Sequence, residues 1–524
     1  MNIKKIIGFV CLSVCLSWMQ ANAQALQKEK NGYRLLVDGK PFVMLSGELH
    51  NSTSSSLEYM APVWQKLKAM HLNSVIASIS WEQFEPQEGV FDYSIIDGII
   101  RQAEENEMKV AIIWFASWKN GDSSYAPLWV KQDTKRFFRA KNPEGNPIRI
   151  VSPLCEAAKK ADAKAFAALM KRIKEQDKKQ TIILMQAENE VGIFYDFDYC
   201  EASQKQFRQL VPPTLLSYLK ANESHLSSEI KSCWIENGRK TKGTWTDVFG
   251  DNAKAKEFFM TWQYATYIQE VVAQGKAQYD IPVYVNAWLE QYRDGQPDYP
   301  RGGPIAKVMD IYKAAAPAID WVSPDIYLPT FREICAEYHR TDNPLFIPES
   351  TREGGRAFYA LAEHDALCFA PFGIEDGYND PEFIAAYSVL NELLPTIIQY
   401  RGSGKMHAFF KQAKEDHAVI EFDNYKIIAY YEGENAPNYG LIIQTDDDEF
   451  IISGIGARLH FFSKNNKLRA DIATVWEGKY ENNAWKTTRW LNGDETGAHN
   501  FVRLWGREGS VKMPGVYRIK LYTF

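Results

Sequence analysis

The sequence predicts an α/β fold, a (β/α)8 TIM barrel followed by an all-β, sandwich-like domain. Three observations carry this. Eight short apolar runs recur with helical stretches between them over roughly the first 400 residues. Most of these runs are continuously apolar, as expected of strands covered on both faces. Beyond about residue 400 the helical spacing stops and alternating runs take over.

The strand candidates are Phe42–Gly47, Ser74–Ser80, Lys109–Phe115, Thr181–Ala187, Pro282–Trp288, Trp321–Tyr327, Leu345–Pro348 and Leu367–Phe372. The clearest amphipathic stretches are Tyr59–Met70, Tyr93–Asn106, Ala161–Gln176 and Gly250–Tyr279. A doubly wound open sheet is the rival fold. It would carry a Gly-rich phosphate turn after the first strand, whereas this chain has "SGELHNS" there.

From Gly404 onward the runs "HAVIEF", "YKIIAYY", "YGLIIQT", "EFIISGI", "ARLHFF", "ADIATVW" and "VYRIKLY" alternate between turn residues. They predict a sandwich. "GIGARL" at Gly454–Leu459 has no helix after it and is no nucleotide turn. "DDDE" at Asp446–Glu449 lacks calcium-loop spacing and reads as a turn between strands. The expected organisation is a signal peptide over residues 1–23, a barrel over 24–402 and a β-sandwich domain over 403–524.

The N-terminus carries Lys4 and Lys5, an apolar run Ile6–Met19 too short to span a bilayer, and an A-x-A site at Ala21–Ala23. That is the pattern of a cleavable secretory signal, which places the mature chain in the periplasm or outside the cell. Losing the two lysines would take the net charge from −6 to about −8, a balance unsuited to nucleic acid. The Cys residues beyond the signal (Cys155, Cys200, Cys233, Cys335 and Cys368) are scattered and show no C-x-x-C spacing. Buried free thiols fit better than disulfides or a zinc site. No metal and no other cofactor is expected.

In a barrel of this kind the active site faces the C-terminal ends of the strands. Those ends carry Glu48 and His50, Trp81 and Glu82, Trp114 and Trp118, Glu188, Asn189 and Glu190, Asn286 and Trp288, Asp325 and Tyr327, Glu349, then Glu375 and Asp376. No G-x-S-x-G elbow, Walker loop or H-x-x-x-H pair is present. A mouth rich in carboxylates and Trp suits glycoside hydrolysis, which needs two carboxyl groups across the scissile bond and aromatic faces for sugar rings. Glu349 and a glutamate from the fourth strand are placed to meet across the lumen. Side-chain parity does not choose between Glu188 and Glu190. Trp81, Trp114 and Trp288 serve equally as sugar platforms or as barrel-top core. Glu48 and His50 serve as ligands of sugar hydroxyls or as a structural pair.

"GELH", "SWEQFEPQEGVFDY", "QAENEVG" and "PES" together resemble glycoside hydrolase family 35, the β-galactosidases of the retaining clan A, with some family 42 character. The resemblance implies Glu190 as acid/base, Glu349 as nucleophile, Asn189 on the sugar 2-hydroxyl and Tyr327 orienting the nucleophile. The sequence departs from family 35 at Ser78, where that family has Tyr, and in "IIWFASWKNGDSSYAPLWV" after the third strand. The implied activity is that of a β-galactosidase on an oligo- or polysaccharide. A β-glucosidase, an α-L-arabinopyranosidase or a non-catalytic carbohydrate binder are the alternatives. Oligomeric state is left open.

Overall fold

The computed structural model describes residues 25–433, 436–498, 500–506 and 513–524. The secretory signal expected over residues 1–23 lies outside them.

Eight parallel strands line the centre. They are β1 (Met44–Leu45), β2 (Ser74–Ser80), β3 (Lys109–Lys119), β4 (Ile182–Asn189), β5 (Val283–Trp288), β6 (Trp321–Ile326), β7 (Glu349–Ser350) and β8 (Cys368–Phe369). β2 to β7 pair in sequence order as one sheet, and β8 pairs with β1. Parallel bridges Glu48↔Ile76 and Ile347↔Phe369 join the two pieces. The ring closes, so no strand edge is left open within it. Every residue of β2 and of β4 is buried, which is why these runs read as continuously apolar. The sequence places β3 too short by four residues: "ASWK" extends it to Lys119.

Met44, Ile76, Ile113, Tyr284, Trp321 and Phe346 fill the lumen. Leu35 and Val37 join the same cluster from an N-terminal hairpin, Ala25–Glu29 with Gly32–Val37. Helices cover the outside, among them Ser94–Glu105, Glu156–Gln176 and Ala253–Lys276. The expected helix Tyr59–Met70 is instead two, Leu57–Met60 and Val63–Ala69. Pro62 stands between them and cannot donate to the preceding turn.

Among the described residues ten antiparallel strands follow: β9 (Met406–Phe410), β10 (His417–Glu421), β11 (Tyr425–Tyr431), β12 (Tyr439–Asp446), β13 (Glu449–Ile455), β14 (Ala457–Ser463), β15 (Ala470–Glu481), β16 (Ala484–Leu491), β17 (Val502–Leu504) and β18 (Gly515–Thr523). One sheet has the order β9-β12-β13-β18-β15-β16, the other β10-β11-β14-β17. Residues such as Phe409, Ile427, Ile452, Leu459 and Tyr517 form the core between them. The chain crosses from one sheet to the other at Gly456, with φ 75°, inside "GIGARL".

Met406, Ala408, Leu441 and Ile443 belong to the apolar cluster of the barrel's helical layer. The first sheet therefore packs on the barrel, chiefly on the helix Gly354–Glu363. Gly355 permits that approach: a Cβ there would lie 2.8 Å from the Tyr439 ring and 2.9 Å from Phe410. Gly355→Val is expected to destabilise the chain by about 1–3 kcal/mol through overpacking, read as a lower midpoint in thermal unfolding.

Candidate active site

The "AENEVG" turn is built by backbone that most residues avoid. Glu188 has φ 60° and Glu190 φ 46°, both in the left-handed region that costs a residue with a Cβ about 1–3 kcal/mol. The surroundings hold it there. The Glu190 N–H donates to Asn286 Oδ1 at 3.0 Å. The N–H groups of Asn120 and Gly121 donate to the carbonyls of Asn189 and Glu190. Gly192 must be glycine, since a Cβ would sit 2.7 Å from the Pro300 backbone. The left-handed turns end strand parity and send the two glutamates to different places.

Glu188 turns into the wall. Its oxygens accept from the N–H groups of Ser117 at 3.2 Å and Trp118 at 2.8 Å. Its carboxyl lies against Asp162; burial raises both, and Asp162 raises Glu188 further, while the hydrogen bond from Glu188 favours the Asp162 anion. It holds the extension of β3 in place. Glu190 turns into a cavity of about 510 Å³, lined by Asn51, Lys119, Asn120, Trp288, Tyr327 and Glu349 among others.

Oxygens of Glu190, Asp325 and Glu349 lie within 4.8 Å of one another. The Tyr327 hydroxyl donates to Glu349 Oε2 at 2.9 Å. Asn286 Nδ2 donates to Asp325 Oδ2 at 2.7 Å and to Asn189 Oδ1 at 2.9 Å. Glu48 is 1% exposed and neither of its oxygens has a protein donor. It faces the equally buried Glu349, and a proton held between the two carboxyls satisfies both.

Burial raises all four carboxyls. Glu190 is pushed up to about 8, by burial first and by the Glu349 charge second, while Lys119 and Asp325 pull it back. Glu48 and Asp325 are held well above the carboxylate range by burial and then by Glu349. Glu349 is raised too, by burial, but Lys119, the Tyr327 hydroxyl and Glu48 all favour its anion. The asymmetry points one way: Glu190 keeps a proton and Glu349 takes the charge.

The expected site residues separate accordingly. Glu190, Glu349, Tyr327 and Trp288 line the cavity, with Trp288 edge-on to Phe194. Asn189 and Asn286 lie beneath it at 0% and 2% exposure. Asn189 spends its amide on Gln186, Asn286 and Asn120, so Asn120 takes its place as an amide at the cavity wall, with Asn51 and Gln291. Two of the aromatic platforms are corrected to core. Trp81 is fully buried and donates to Glu85 at 2.7 Å; Trp114 is fully buried and donates to Asp162 at 2.8 Å. His50 turns to the rim, pairing with Asp376 at 2.9 Å, and Glu48 lies below the floor. Neither lines the cavity.

Lys119 and Asn120 also line the cavity, and neither stands out in the sequence. Their signal was the length of β3: once "ASWK" is strand, "KN" becomes its C-terminal end. The trio of Glu190, Asp325 and Glu349 is also the group whose ligand atoms are close enough to hold a metal ion among the described residues. Asn286 and Tyr327 already engage one oxygen each of Asp325 and Glu349.

A family model described as "Beta-galactosidase", that of glycoside hydrolase family 42, matches residues 53–234. A second, a domain of unknown function (DUF5597), matches residues 383–503. The first spans β2 to β4 and gives this part of the barrel family 42 character; family 35 is not confirmed. A dog β-galactosidase is 27% identical over 206 residues, 37% of this chain and 28% of the relative. The human β-galactosidase is 26% identical over 184 residues, 33% of this chain and 25% of the relative. The chain thus spans about a quarter of the length of these curated relatives. Among solved structures, a catalytic mutant of Gan42B, a GH42 β-galactosidase from G. stearothermophilus, overlaps 91% of this chain and 98% of its own. Its TM-score is 0.48 and its identity 9%. The β-galactosidase from Bacillus circulans sp. alkalophilus covers 63% of this chain and 50% of its own, with a TM-score of 0.42 and 17% identity.

A raised carboxyl binds a proton in the folded chain that the unfolded chain has released. For Glu190 this holds from its ordinary value of 4.5 up to about 8. Stability should therefore fall as pH rises through that window. Glu190→Gln removes this contribution. Its thermal midpoint is expected to fall less between pH 5 and pH 8 than that of the wild type, as read by calorimetry.

Proposed function

We propose that this chain is a retaining β-glycosidase that releases terminal β-galactose from an oligo- or polysaccharide. The observation that carries it is the pair Glu190 and Glu349, from the ends of β4 and β7, with carboxyl oxygens within 4.8 Å. Retaining hydrolysis uses carboxyls about 5–5.5 Å apart, while the inverting route needs about 6.5–9.5 Å for a water.

Glu349 is the nucleophile. Tyr327 donates to one of its oxygens, which fixes the carboxylate and stabilises its charge. Its carboxylate attacks the anomeric carbon and forms a glycosyl ester. Glu190 donates its proton to the leaving oxygen in that step. It then takes a proton from the water that attacks the ester, and is restored. When Glu349 becomes an ester its charge is lost, so the second cause of the raised Glu190 carboxyl disappears. The change favours the anion, which is what the general base needs. The matched family model and relatives supply the galactose preference, and the secretory pattern in residues 1–23 supports a substrate met outside the cytoplasm.

The test is release of nitrophenol from an aryl β-D-galactopyranoside. Wild type is expected to cleave it. Glu349→Ala should lose at least ~10³-fold in kcat, and azide should restore part of the rate by replacing the nucleophile, giving the α-galactosyl azide. A panel of aryl β-glucoside and α-L-arabinopyranoside separates the glycone alternatives. Cleavage of none of them, with Glu349→Ala binding galactose as wild type does, would favour a carbohydrate binder. The kcat/KM profile should fall on its alkaline side near pH 8, the value at which free Glu190 loses its proton.

A further inference from the structure

A second cavity of about 860 Å³ adjoins the one at Glu190 and shares Asn51, Lys119 and Asn120 with it as lining. The two spaces differ sharply in charge. The first holds Glu190, Asp325 and Glu349. The second is lined by Lys119, Lys131, Arg139 and Arg149, with Asp122 as its carboxylate. This basic groove lies on a chain of net charge −6 and adjoins the cavity that holds these three carboxyls.

Pairing inside the protein leaves part of that positive charge uncompensated. Arg149 pairs with Asp122 at 2.7 Å, and Lys131 with Glu82 at 3.0 Å. Arg139 has no carboxylate partner among the described residues. Its guanidinium is half-buried and donates to the carbonyl of Lys131 at 3.1 Å. Lys119 donates to the side-chain carbonyl of Asn120 at 2.9 Å. A half-buried guanidinium with donors to spare is suited to a planar or tetrahedral oxyanion, which it can grip with two N–H groups. The hairpin Arg139–Lys141 with Pro147–Val151 fixes Arg139 and Arg149 on one rigid element.

We propose that this groove is a subsite for a sugar unit bearing an anionic substituent, a uronate carboxylate or a sulfate ester, next to the unit whose bond is cleaved. The assignment of the cleaved bond rests on the glycosidase reading above; the anion preference of the groove does not. The anion sits against Arg139, with Lys119 at the junction and Arg149 at the outer rim. The sugar ring bridges the junction beside Asn51 and Asn120. The substrate is then an acidic glycan, and the groove tells it from a neutral one.

Binding without turnover reads the groove directly. Methyl β-D-glucuronide and glucose 6-sulfate represent the two anion types, methyl β-D-glucoside is the neutral control, and inorganic sulfate is the bare-anion control. In ligand titrations followed by NMR, at least one anionic sugar should bind roughly tenfold more tightly than the glucoside. The arm that wins identifies the substituent. The gap should close at about 0.5 M NaCl, where exposed charges are screened, and in Arg139→Met; Arg139→Lys should keep part of it. Comparing the sugars within each variant cancels any loss of folded protein. Equal binding of anionic and neutral sugars, an unchanged gap in Arg139→Met, or inorganic sulfate binding as tightly as the sugars would each overturn the proposal. Since no bond is cleaved in these titrations, a failed galactosidase assay leaves their outcome intact.

Discussion

Four carboxyl groups share one buried space with one ammonium, and the rest of the site follows from that imbalance. Glu48, Glu190, Asp325 and Glu349 are each less than a tenth exposed, and Lys119 is the cation that acts on the glutamates among them. Four negative charges cannot coexist at such distances in a medium that screens poorly. Protons must stay. Which carboxyls keep them is decided by donors: Glu349 has Tyr327 and Lys119 on its side, so its anion is favoured over that of its neighbours. The crowd of carboxyls is therefore a device for giving two chemically identical side chains opposite protonation at the same pH.

Such an arrangement works against stability, and the surrounding barrel compensates for it. Two left-handed non-glycine residues, Glu188 and Glu190, bracket Asn189. Their geometry is held by the side chains of Asn286 and Gln186 and by the backbone of Asn120 and Gly121. Beneath them, Glu188 and Asp162 form a second buried carboxyl pair that fixes the end of β3. Extra strand length, strain and unpaired buried oxygens all converge on the same end of the barrel.

The barrel and the sandwich were legible because both are written in periodicity. β2 was found to the residue, and seven sandwich strands were visible as alternating runs. β9, β16 and β17 were not: β16 is exposed along nearly its whole length, so no buried face marks it, and β17 is only Val502–Leu504. The pair Glu190 and Glu349 was legible from strand ends and the family resemblance, since each follows an apolar run. The aromatic residues were not. A Trp at a strand end looks the same whether it faces a sugar or the helical layer, and Trp81 and Trp114 face the latter. "EPQEG", within the stretch "SWEQFEPQEGVFDY", proves structural. Glu85 accepts from Trp81 Nε1 and from the Gly89 N–H, and so shapes the loop after β2. Lys119 was hidden, and the role of Glu48 left open, for the same kind of reason: charge at a strand end gives no hint of which carboxyl it will face.

The central claim is that Glu349 carries the charge and forms the bond to sugar. A 2-deoxy-2-fluoro-β-galactosyl fluoride slows both steps while its good leaving group favours the first, so the ester accumulates. Incubation with it, followed by proteolysis and peptide mass spectrometry, reads the attacked atom directly. The account predicts one fluorosugar on the peptide that contains Glu349, and none on those containing Glu190, Asp325 or Glu48. A label on any of those three residues, or an enzyme that turns over galactosides yet never accumulates a label, would contradict it.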